Sequence, residues 1–504
     1  MLLFALSFPG YFNSDGLAFL SFLVPIPLYV LVGRINYKES VLYGFTYGSG
    51  SYLLFNYWLK SFDPVSFSVL PTIIGSYYLL LFLLLKFIYN NFKRFTYIPL
   101  TLSWLAFEIF KGENIIGYTY GTIAHSMYKT HIFTGISDIT GVYVLSLLII
   151  YPGVFISFLI IRGKNSISSR ELKLNIIIYF LILSSSIIYT LINRVDYSKS
   201  DTIRTSLVQH NIDSWATGSN QVYKETLDEL INLSNRSRDL EPELIIWSET
   251  AFVPALEWHK KHKKNMFRFN LVERLEKYIS DYNTDFIFGA NETIGLEEGE
   301  QVFYNSAYNY SPNEKTEKYR KNVLVPFTER FPFPNLLPWL HSYIKSIGGK
   351  DLTPGEEVNN FNVNQYNLTP LICYEDTFGY QVRKGISSGG DLIVNMTNDA
   401  WSSEEACSKQ HLSAALFRSI ENRRSFIRVG TGGYSCVIDP NGKILVSIPV
   451  LTKGELTYDV PVYNDKTTFY TKYGGVVQYI LLSILIILIL SRPIKSILPA
   501  LQQE

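Results

Sequence analysis

The sequence predicts a multi-span α-helical membrane bundle joined to a water-soluble α/β sandwich. Three observations predict this fold class. The 504-residue chain has 45 Lys and Arg and 44 Asp and Glu residues, yet only 19 of these charges fall in residues 1–193. Long apolar runs crowd that region and return near the C-terminus. From about residue 200, short β-rich runs, such as residues 244–247 and 285–288, alternate with polar stretches that are compatible with helices, such as residues 266–282. This alternation is typical of an α/β domain.

The apolar runs are long enough to cross a bilayer, because a helix rises about 1.5 Å per residue and a crossing takes about 20 residues. We predict spans at residues 17–32, 41–58, 68–89, 95–110, 142–161, 174–192 and 473–490. Residues 1–12 are apolar but suffice for only about half a crossing, and are interpreted as a truncated first helix or a re-entrant segment. Counted as a helix, they raise the total to eight spans. The predicted domains are a membrane bundle of about seven spans at residues 1–193, a soluble domain at 194–472, and a C-terminal helix with its tail at 473–504.

The orientation of the bundle follows from the distribution of cations. They gather in three loops and after the last span: Arg34 and Lys38; Lys93 and Arg94; Arg162, Lys164, Arg170 and Lys173; Arg492 and Lys495. If the spans alternate, all four clusters lie on one face, which the positive-inside rule assigns to the cytoplasm. The soluble domain is then predicted to lie on the extracytoplasmic side.

Composition argues against several classes of partner. The net charge is +1 and no basic patch with interleaved aromatic residues is present, so we expect no nucleic-acid partner. The three cysteines give no disulfide framework, and the seven histidines show no metal-ligand spacing. We expect no metal and no cofactor. Cys407 and Cys436 are interpreted as buried thiols, with a disulfide between them as the alternative. The first cation is Arg34, so no cleaved signal peptide is predicted.

Three segments of the soluble domain carry residues suited to nucleophilic catalysis. Glu249 and Cys373 each follow an apolar run that predicts a strand, and Lys321 precedes an apolar run with a proline. A thiol at its ordinary pKa of about 8.5 is mostly protonated at neutral pH. A nearby ammonium favours the thiolate and stabilises an oxyanion, while a carboxylate accepts the proton. Taken singly, each residue also fits an ordinary role, as a surface Glu, a solvated Lys or a buried Cys.

The three segments resemble the Glu–Lys–Cys triad of the nitrilase superfamily, in its usual chain order. With the membrane frame added, the chain resembles the apolipoprotein N-acyltransferase family. Further matching segments are residues 104–111, 141–146, 208–212, 398–401, 410–423 and 436–443. The resemblance implies a nitrilase-like α-β-β-α sandwich. It also implies Glu249 as general base, Cys373 as nucleophile and Lys321 as stabiliser of tetrahedral intermediates.

The resemblance assigns auxiliary roles as well. Glu329 matches an auxiliary carboxylate, Tyr374 and Glu375 match residues that support the nucleophile, and Trp215 matches a substrate-contacting aromatic. Thr328 departs from the family pattern, which usually has glycine there, and its bulk is expected to affect the backbone before Glu329. A second departure is Lys111, which stands where arginine is common. We also expect four aromatic residues near an apolar cleft: Trp215, Phe331, Phe333 and Trp339.

The activity implied by the resemblance is acyl transfer at a bacterial cytoplasmic membrane. A phospholipid would donate an acyl chain to a cysteine thioester, and the α-amino group of the diacylglyceryl-cysteine of an apolipoprotein would accept it. Two alternatives stay open. A membrane-tethered amidase or nitrilase is compatible with the triad, although so many spans favour a lipid substrate. A non-catalytic lipoprotein-binding protein is disfavoured because Glu249, Lys321 and Cys373 are all present.

Overall fold

The computed structural model divides the chain into two compact units, Met1–Arg194 with Tyr473–Glu504, and Val195–Lys472. It describes residues 1–61, 64–93, 95–163, 167–212, 218–295, 301–312 and 316–491. Some residues singled out above lie outside these ranges: Arg94, Lys164, Trp215, Arg492 and Lys495.

The first unit is helical. Its helices before the second unit are α1 Leu2–Ser7, α2 Pro25–Arg34, α3 Tyr37–Phe55, α4 Pro64–Asn91, α5 Tyr97–Glu113, α6 His131–Thr134, α7 Ser137–Thr140, α8 Val142–Arg162 and α9 Ser169–Ile192. Within the described residues, three helices are long and apolar enough to cross a membrane: Phe67–Asn91, Val142–Arg162 and Ser169–Ile192. Two shorter apolar helical stretches lie at Ala18–Arg34, which includes α2, and at Val476–Leu490.

The segment predicted as one α-helical span at residues 17–32 has a break in it. A 3-10 helix at Ala18–Phe22 comes first, and α2 starts only at Pro25. Proline lacks an N–H and fits the first turn of a helix but not its interior. Pro25 therefore starts a new helix rather than continuing the preceding one.

Glycine brings α3 and α4 close together. A Cβ atom on Gly44 would lie 2.8 Å from the Cα of Leu79, and one on Gly48 would lie 2.9 Å from the Cα of Gly75. Small residues at such positions let two backbones approach closely, which is how helices commonly pack in membranes.

Two charged residues of α5 are fully buried within this unit. The Lys111 ammonium donates to the carbonyls of Tyr118 at 2.8 Å and Tyr120 at 2.6 Å, and Glu108 accepts from the Ile123 N–H at 2.7 Å. Both side chains thus fasten the segment that follows α5 back onto the helix.

The second unit is a sandwich of two sheets. Its strands are β1 Thr202–Gln209, β2 Leu244–Trp247, β3 Asp285–Gly295, β4 Gln301–Tyr310, β5 Glu317–Arg320, β6 Phe361–Val363, β7 Tyr366–Ile372, β8 Leu392–Thr397, β9 Phe426–Gly430, β10 Ser435–Ile438, β11 Ile444–Ile448 and β12 Gly454–Pro461. In the part of the chain that the structure describes, they form six-stranded sheets of order β12-β1-β2-β3-β4-β5 and β11-β10-β9-β8-β7-β6. β1, β2 and β3 run parallel, as do β7, β8 and β9.

Helices lie on both outer faces of this sandwich. The helices that follow β1 are α10 Asn220–Arg236, α11 Leu256–His262, α12 Met266–Tyr282, α13 Pro338–Ser346, α14 Gly379–Ser387, α15 Glu405–Asn422 and α16 Phe469–Tyr473. The chain then returns to the first unit as α17 Val476–Leu490. One apolar core joins the facing sides of the two sheets, and a second joins α10 and α12 to β2 and β3. α14 and α15 pack on the other sheet. The predicted α-β-β-α sandwich is confirmed.

Candidate active site

The polar ends of several strands meet at one edge of the sandwich. Glu249 lies two residues after β2, Lys321 directly follows β5, and Cys373 directly follows β7. The carboxyl ends of parallel strands are where open α/β sheets usually place their sites. Both sheets contribute to this site, because Glu249 and Lys321 follow strands of one sheet and Cys373 follows a strand of the other.

Lys321 lies between two carboxylates. Its Nζ atom is 3.3 Å from Oε1 of Glu249 and 2.9 Å from Oε1 of Glu329. The side-chain amide of Asn305 donates to both of those oxygens, at 2.8 and 3.1 Å. The second oxygen of Glu249 accepts from the backbone N–H of Asn398 at 2.9 Å. The ammonium, the amide and the two carboxylates thus form one connected group.

Burial sets the protonation behaviour of this group. Lys321 and Glu249 are both buried. Burial raises the pKa of the Glu249 carboxyl, and Lys321 acts against that rise. For the Lys321 ammonium, burial alone lowers the pKa, but the attraction of Glu249 and Glu329 outweighs it and holds the pKa well above its ordinary value. Lys321 is therefore a permanent cation, while Glu249 has the raised proton affinity that suits a general base.

The backbone at Cys373 is in a conformation that side-chain-bearing residues rarely adopt. Its φ angle is +51°, in the left-handed region that costs an L-residue roughly 1–2 kcal/mol. A 3-10 helix, Cys373–Thr377, starts there at the end of β7. The Asn395 amide donates to the Cys373 carbonyl at 2.9 Å. Sharp, strained turns of this kind cluster at functional sites.

Burial and the neighbouring charged residues shift the pKa of the Cys373 thiol. Burial raises its pKa well above the ordinary value, Glu249 adds to the rise, and Lys321 lowers it. Asp399 raises it further, and a hydrogen bond with Thr397 lowers it. The resting residue is therefore a neutral thiol, and attack on a carbonyl requires transfer of its proton to a base nearby. Glu249 and Lys321 are both close enough to influence the sulfur electrostatically.

Glu375 fastens the segment that carries Lys321 to the segment that carries Cys373. It is fully buried, and its carboxylate accepts from the Tyr319 hydroxyl at 2.8 Å. Backbone N–H groups of Asn322, Val323 and Ile372 donate to it at 2.6, 3.0 and 2.8 Å. Burial raises the pKa of Glu375 to about 7, while the backbone N–H donors act in the opposite direction. Because Glu375 joins these two segments, it is suited to hold Lys321 and Cys373 in place relative to each other.

The segment around Glu329 tolerates Thr328. Phe327 takes a φ of +69°, and the Glu329 N–H donates to the Val325 carbonyl at 3.0 Å. The Val325 N–H donates in turn to Oε2 of Glu329 at 2.8 Å. A tight loop therefore brings the Glu329 carboxylate to Lys321 without glycine at position 328.

The other residues named in the sequence analysis differ in how deeply they are buried. Tyr374 is buried and packs edge-on against Phe378 at 5.0 Å. Of the aromatics expected near an apolar cleft, Phe331 is buried whereas Phe333 and Trp339 are exposed. Trp215 falls outside the described residues.

Sequence reasoning missed Asn305, which bridges the two carboxylates. A signal was available, because asparagine is disfavoured within a strand and Asn305 lies inside β4. Its carbonyl also accepts the Lys321 N–H at 2.9 Å, so pairing of β4 with β5 places the two residues side by side.

Sequence reasoning also missed a buried polar network near the Cys373 thiol. The His411 ring contacts Asp376 at 2.9 Å and Asp399 at 3.3 Å. Arg428 pairs with Asp376 and Asp399, and its guanidinium lies 2.7 Å from Nδ1 of His411. Its members come from four different segments, so no local spacing in the sequence reveals it.

Cys373, Asp399 and His411 have side-chain ligand atoms within 4.8 Å of one another. Their types suit a divalent transition metal. However, the Arg428 guanidinium donates to Nδ1 of His411 at 2.7 Å and pairs with Asp399. The Arg428 guanidinium therefore already pairs with two of the three groups that could bind a metal. The arrangement does not favour a metal ion.

Comparisons with known proteins find family matches in both units of the chain. Residues 204–464 match the carbon-nitrogen hydrolase family, and residues 2–155 match the N-terminal domain of apolipoprotein N-acyltransferase. Apolipoprotein N-acyltransferase 1 of Treponema denticola is 32% identical over 508 residues, with 96% of this chain and 93% of that protein covered. The Treponema pallidum protein of the same name is 29% identical, with 94% and 90% covered. Apolipoprotein N-acyltransferase of Borreliella burgdorferi is 26% identical, with 96% and 93% covered.

Among solved structures, an amidase from Nesterenkonia sp. aligns with 52% of this chain and 92% of its own at 19% identity, with a TM-score of 0.39. That score is too low to support any conclusion about activity. The sandwich fold rests instead on the sheet order and the family match.

Proposed function

This chain belongs to the apolipoprotein N-acyltransferase family, and on that basis we propose that it transfers a fatty acyl chain from a membrane phospholipid to the N-terminus of lipoproteins. The acceptor is the α-amino group of a diacylglyceryl-cysteine. Cys373 carries the acyl chain between the two substrates as a thioester. Splitting the transfer in this way suits two bulky lipids that enter and leave in turn.

In the first half-reaction, Glu249 takes the proton of the Cys373 thiol as the sulfur attacks an ester carbonyl of the phospholipid. Lys321 stabilises the resulting oxyanion. When the intermediate collapses, the C–O bond breaks and Glu249 returns the proton to the departing alkoxide. A lysophospholipid leaves, and the acyl group stays on the sulfur.

In the second half-reaction, the neutral amine of the acceptor attacks the thioester carbonyl. Glu249 takes a proton from the attacking nitrogen, and Lys321 again stabilises the oxyanion. The C–S bond then breaks, an amide forms, and Glu249 returns the proton to the sulfur. The free enzyme is restored with its thiol protonated.

The observation that carries the proposal is the position of the Lys321 ammonium, 3.3 Å from Glu249 and 2.9 Å from Glu329, within electrostatic range of the Cys373 sulfur. A cation held so rigidly needs no reorganisation when negative charge develops on the substrate. Glu329 also pairs with the Lys321 ammonium, so Glu249 is not the only counter-ion of that lysine.

The helical unit supports a lipid substrate. Each buried CH₂ group is worth about 0.8 kcal/mol, so withdrawing a sixteen-carbon chain into water would cost about 12 kcal/mol. An enzyme held in the bilayer avoids that cost. The described residues include three helices long and apolar enough to span it, more than a simple tether requires.

Mass spectrometry of the purified full-length protein tests the proposal. After incubation with a phospholipid and no acceptor, we expect a fatty acyl mass on the peptide that contains Cys373. Cys407 and Cys436 are buried and serve as internal controls that stay unmodified. Hydrolysis of small amides without any acyl adduct on Cys373 would instead indicate the amidase alternative.

The proposed location is a bacterial cytoplasmic membrane, with the catalytic unit on the extracytoplasmic side. We expect reporter fusions at positions 165 and 500 to be cytoplasmic and a fusion at position 300 to be extracytoplasmic, as the cation distribution predicts. A cytoplasmic reporter at position 300 would contradict this orientation.

A further inference from the structure

Asn305 lies between the two carboxylates of the catalytic group, and the reaction steps proposed above give it no role. It is buried inside β4. The pairing of β4 with β5 fixes its place, because the Lys321 N–H donates to the Asn305 carbonyl at 2.9 Å. Its side-chain amide donates to Oε1 of Glu249 at 2.8 Å and to Oε1 of Glu329 at 3.1 Å. Each carboxylate thus receives one hydrogen bond from the same amide.

The charge of these partners fixes the orientation of the Asn305 amide. An NH₂ group can donate to two anionic oxygens, whereas a carbonyl oxygen can only accept and would be repelled by both. The carbonyl oxygen Oδ1 is buried and has no hydrogen-bond partner among the residues that the structure describes. Within that part of the chain, the side chain therefore acts only as a double donor.

The two carboxylates share one ammonium. Glu249 and Glu329 both accept from Lys321 through the same Oε1 atoms that Asn305 contacts. Two carboxylates beside one cation leave a net negative charge, and their mutual repulsion favours protonation of one of them. Burial raises the pKa of Glu249 and Lys321 lowers it. Glu329 raises that pKa further, and the hydrogen bond from Asn305 acts in the opposite direction.

Other titratable side chains near Glu249 carry no charge at acid pH or bind elsewhere. The Cys373 thiol stays neutral, because burial holds its pKa well above the ordinary value. His210 contacts the hydroxyl of Ser248 at 3.2 Å, and burial lowers its pKa to about 3. Burial raises the pKa of Glu375 to about 7, but its hydrogen bonds go to Tyr319 and to backbone N–H groups.

The segment after β8 also faces Glu249. The Asn398 N–H donates to Oε2 of Glu249 at 2.9 Å and does not titrate. Asp399, the next residue, pairs with His411 and Arg428. Burial raises the pKa of Asp399, but these two partners outweigh it and hold that pKa below its ordinary value. Asp399 therefore stays ionised over the pH range in which a buried Glu249 gains its proton.

We propose that Asn305 is a positioning residue that keeps Glu249 ionised in the resting enzyme, so that Glu249 can take the proton of Cys373. The inference rests on the function proposed above, in which Glu249 is the general base. A hydrogen bond to the charged form of a carboxyl group favours that form. Asn305 supplies such a bond to each carboxylate and so offsets their repulsion. Without it, more of the enzyme would hold Glu249 protonated and unable to act as a base.

The pH dependence of acyl-thioester formation on Cys373 tests this role. Full-length wild-type and Asn305→Leu enzymes in detergent micelles are given a phosphatidylethanolamine, and kcat/KM is measured from acid to neutral pH. The acidic limb of this profile reports the pKa of the essential base in the free enzyme. Leucine has a similar size but no donor, so we expect the limb to move upward by about one to two pH units. On that limb, each unit lowers the rate about tenfold.

Asn309→Leu is the matched control. Asn309 lies further along β4, is buried, and also donates from its amide to a carboxylate, Oε2 of Glu317, at 3.0 Å. Its second donation goes to the Asn362 carbonyl at 2.9 Å. Both substitutions remove a buried amide from the same strand, so both are expected to lower thermal stability. Only Asn305→Leu should move the acidic limb.

An acidic limb at the same pH in Asn305→Leu and the wild type would overturn the assignment, even if the rate fell at every pH. So would an equal shift in Asn309→Leu. If Asn305→Leu does not fold, Asn305→Ser takes its place. The shorter hydroxyl donates only one hydrogen bond, so the limb should still move upward, and an unmoved limb again counts against the role. Failure of the proposed function looks different, because wild-type Cys373 would then form no acyl-thioester at any pH.

Discussion

Replacement of Lys321 by methionine is expected to abolish acyl-thioester formation on Cys373. Methionine has similar length but no charge, so the oxyanion loses its stabilising cation, which alone costs about a hundred- to a thousand-fold in rate. The thiolate loses the same cation, because Lys321 lowers the pKa of Cys373. The two effects act on the same step, so we expect the total loss to exceed a thousand-fold.

The measurement is the rate at which wild-type and variant Cys373 acquire an acyl group from phospholipid. Lys318→Met is the matched control, because Lys318 lies on β5, just before Lys321 in the chain, but pairs with Glu292. Arg320 also pairs with Glu292, so that carboxylate keeps a partner in the control. Near-normal acylation of Lys321→Met would contradict the proposed role of the lysine.

Folding of the Lys321→Met protein needs its own check, since the substitution leaves the buried Glu249 and the half-buried Glu329 without their cation. Unpaired buried charges are strongly destabilising. The double variant with Glu329→Gln removes one of the two carboxylates and restores the charge balance. We expect it to recover thermal stability but not acylation. Recovery of acylation would mean that Lys321 acts only through folding.

Glu375→Gln is expected to have the second-largest effect, on stability and on activity together. Hydroxyl and backbone donors converge on both oxygens of this buried carboxylate. The glutamine amide turns one acceptor into a donor, and each buried donor left without an acceptor costs about 1–3 kcal/mol. The segments that carry Lys321 and Cys373 then lose the contact that joins them.

Thermal unfolding and thioester formation should therefore fall together in Glu375→Gln. Tyr319→Phe gives a graded comparison, because it removes only the Tyr319 hydroxyl from the same carboxylate. We expect it to cost about 1 kcal/mol of stability and to retain most activity. Equal activity in Glu375→Gln and the wild type would show that the contact does not position the nucleophile.

Much of the fold was predictable because it depends on local pattern. The predicted helix at Met266–Tyr282 and the strand at Leu244–Trp247 have the same bounds in the structure. Periodic apolar residues that face a core determine such elements. The strand predicted at residues 285–288 instead continues to Gly295, because it pairs along its length with β4. That pairing is a property of two segments together.

The amino-acid sequence shows which polar residues stand at the ends of apolar runs, and this pattern was enough to single out Glu249, Lys321 and Cys373 as candidates. Side-chain type and strand periodicity are local properties, so they can be read along the chain. The surroundings of those residues, in contrast, depend on how the chain folds in three dimensions. Asn305 between the carboxylates, the donors around Glu375 and the arginine beside His411 come from distant segments. Their contacts exist because strand pairing, helix packing and the packing of the two sheets bring distant segments together.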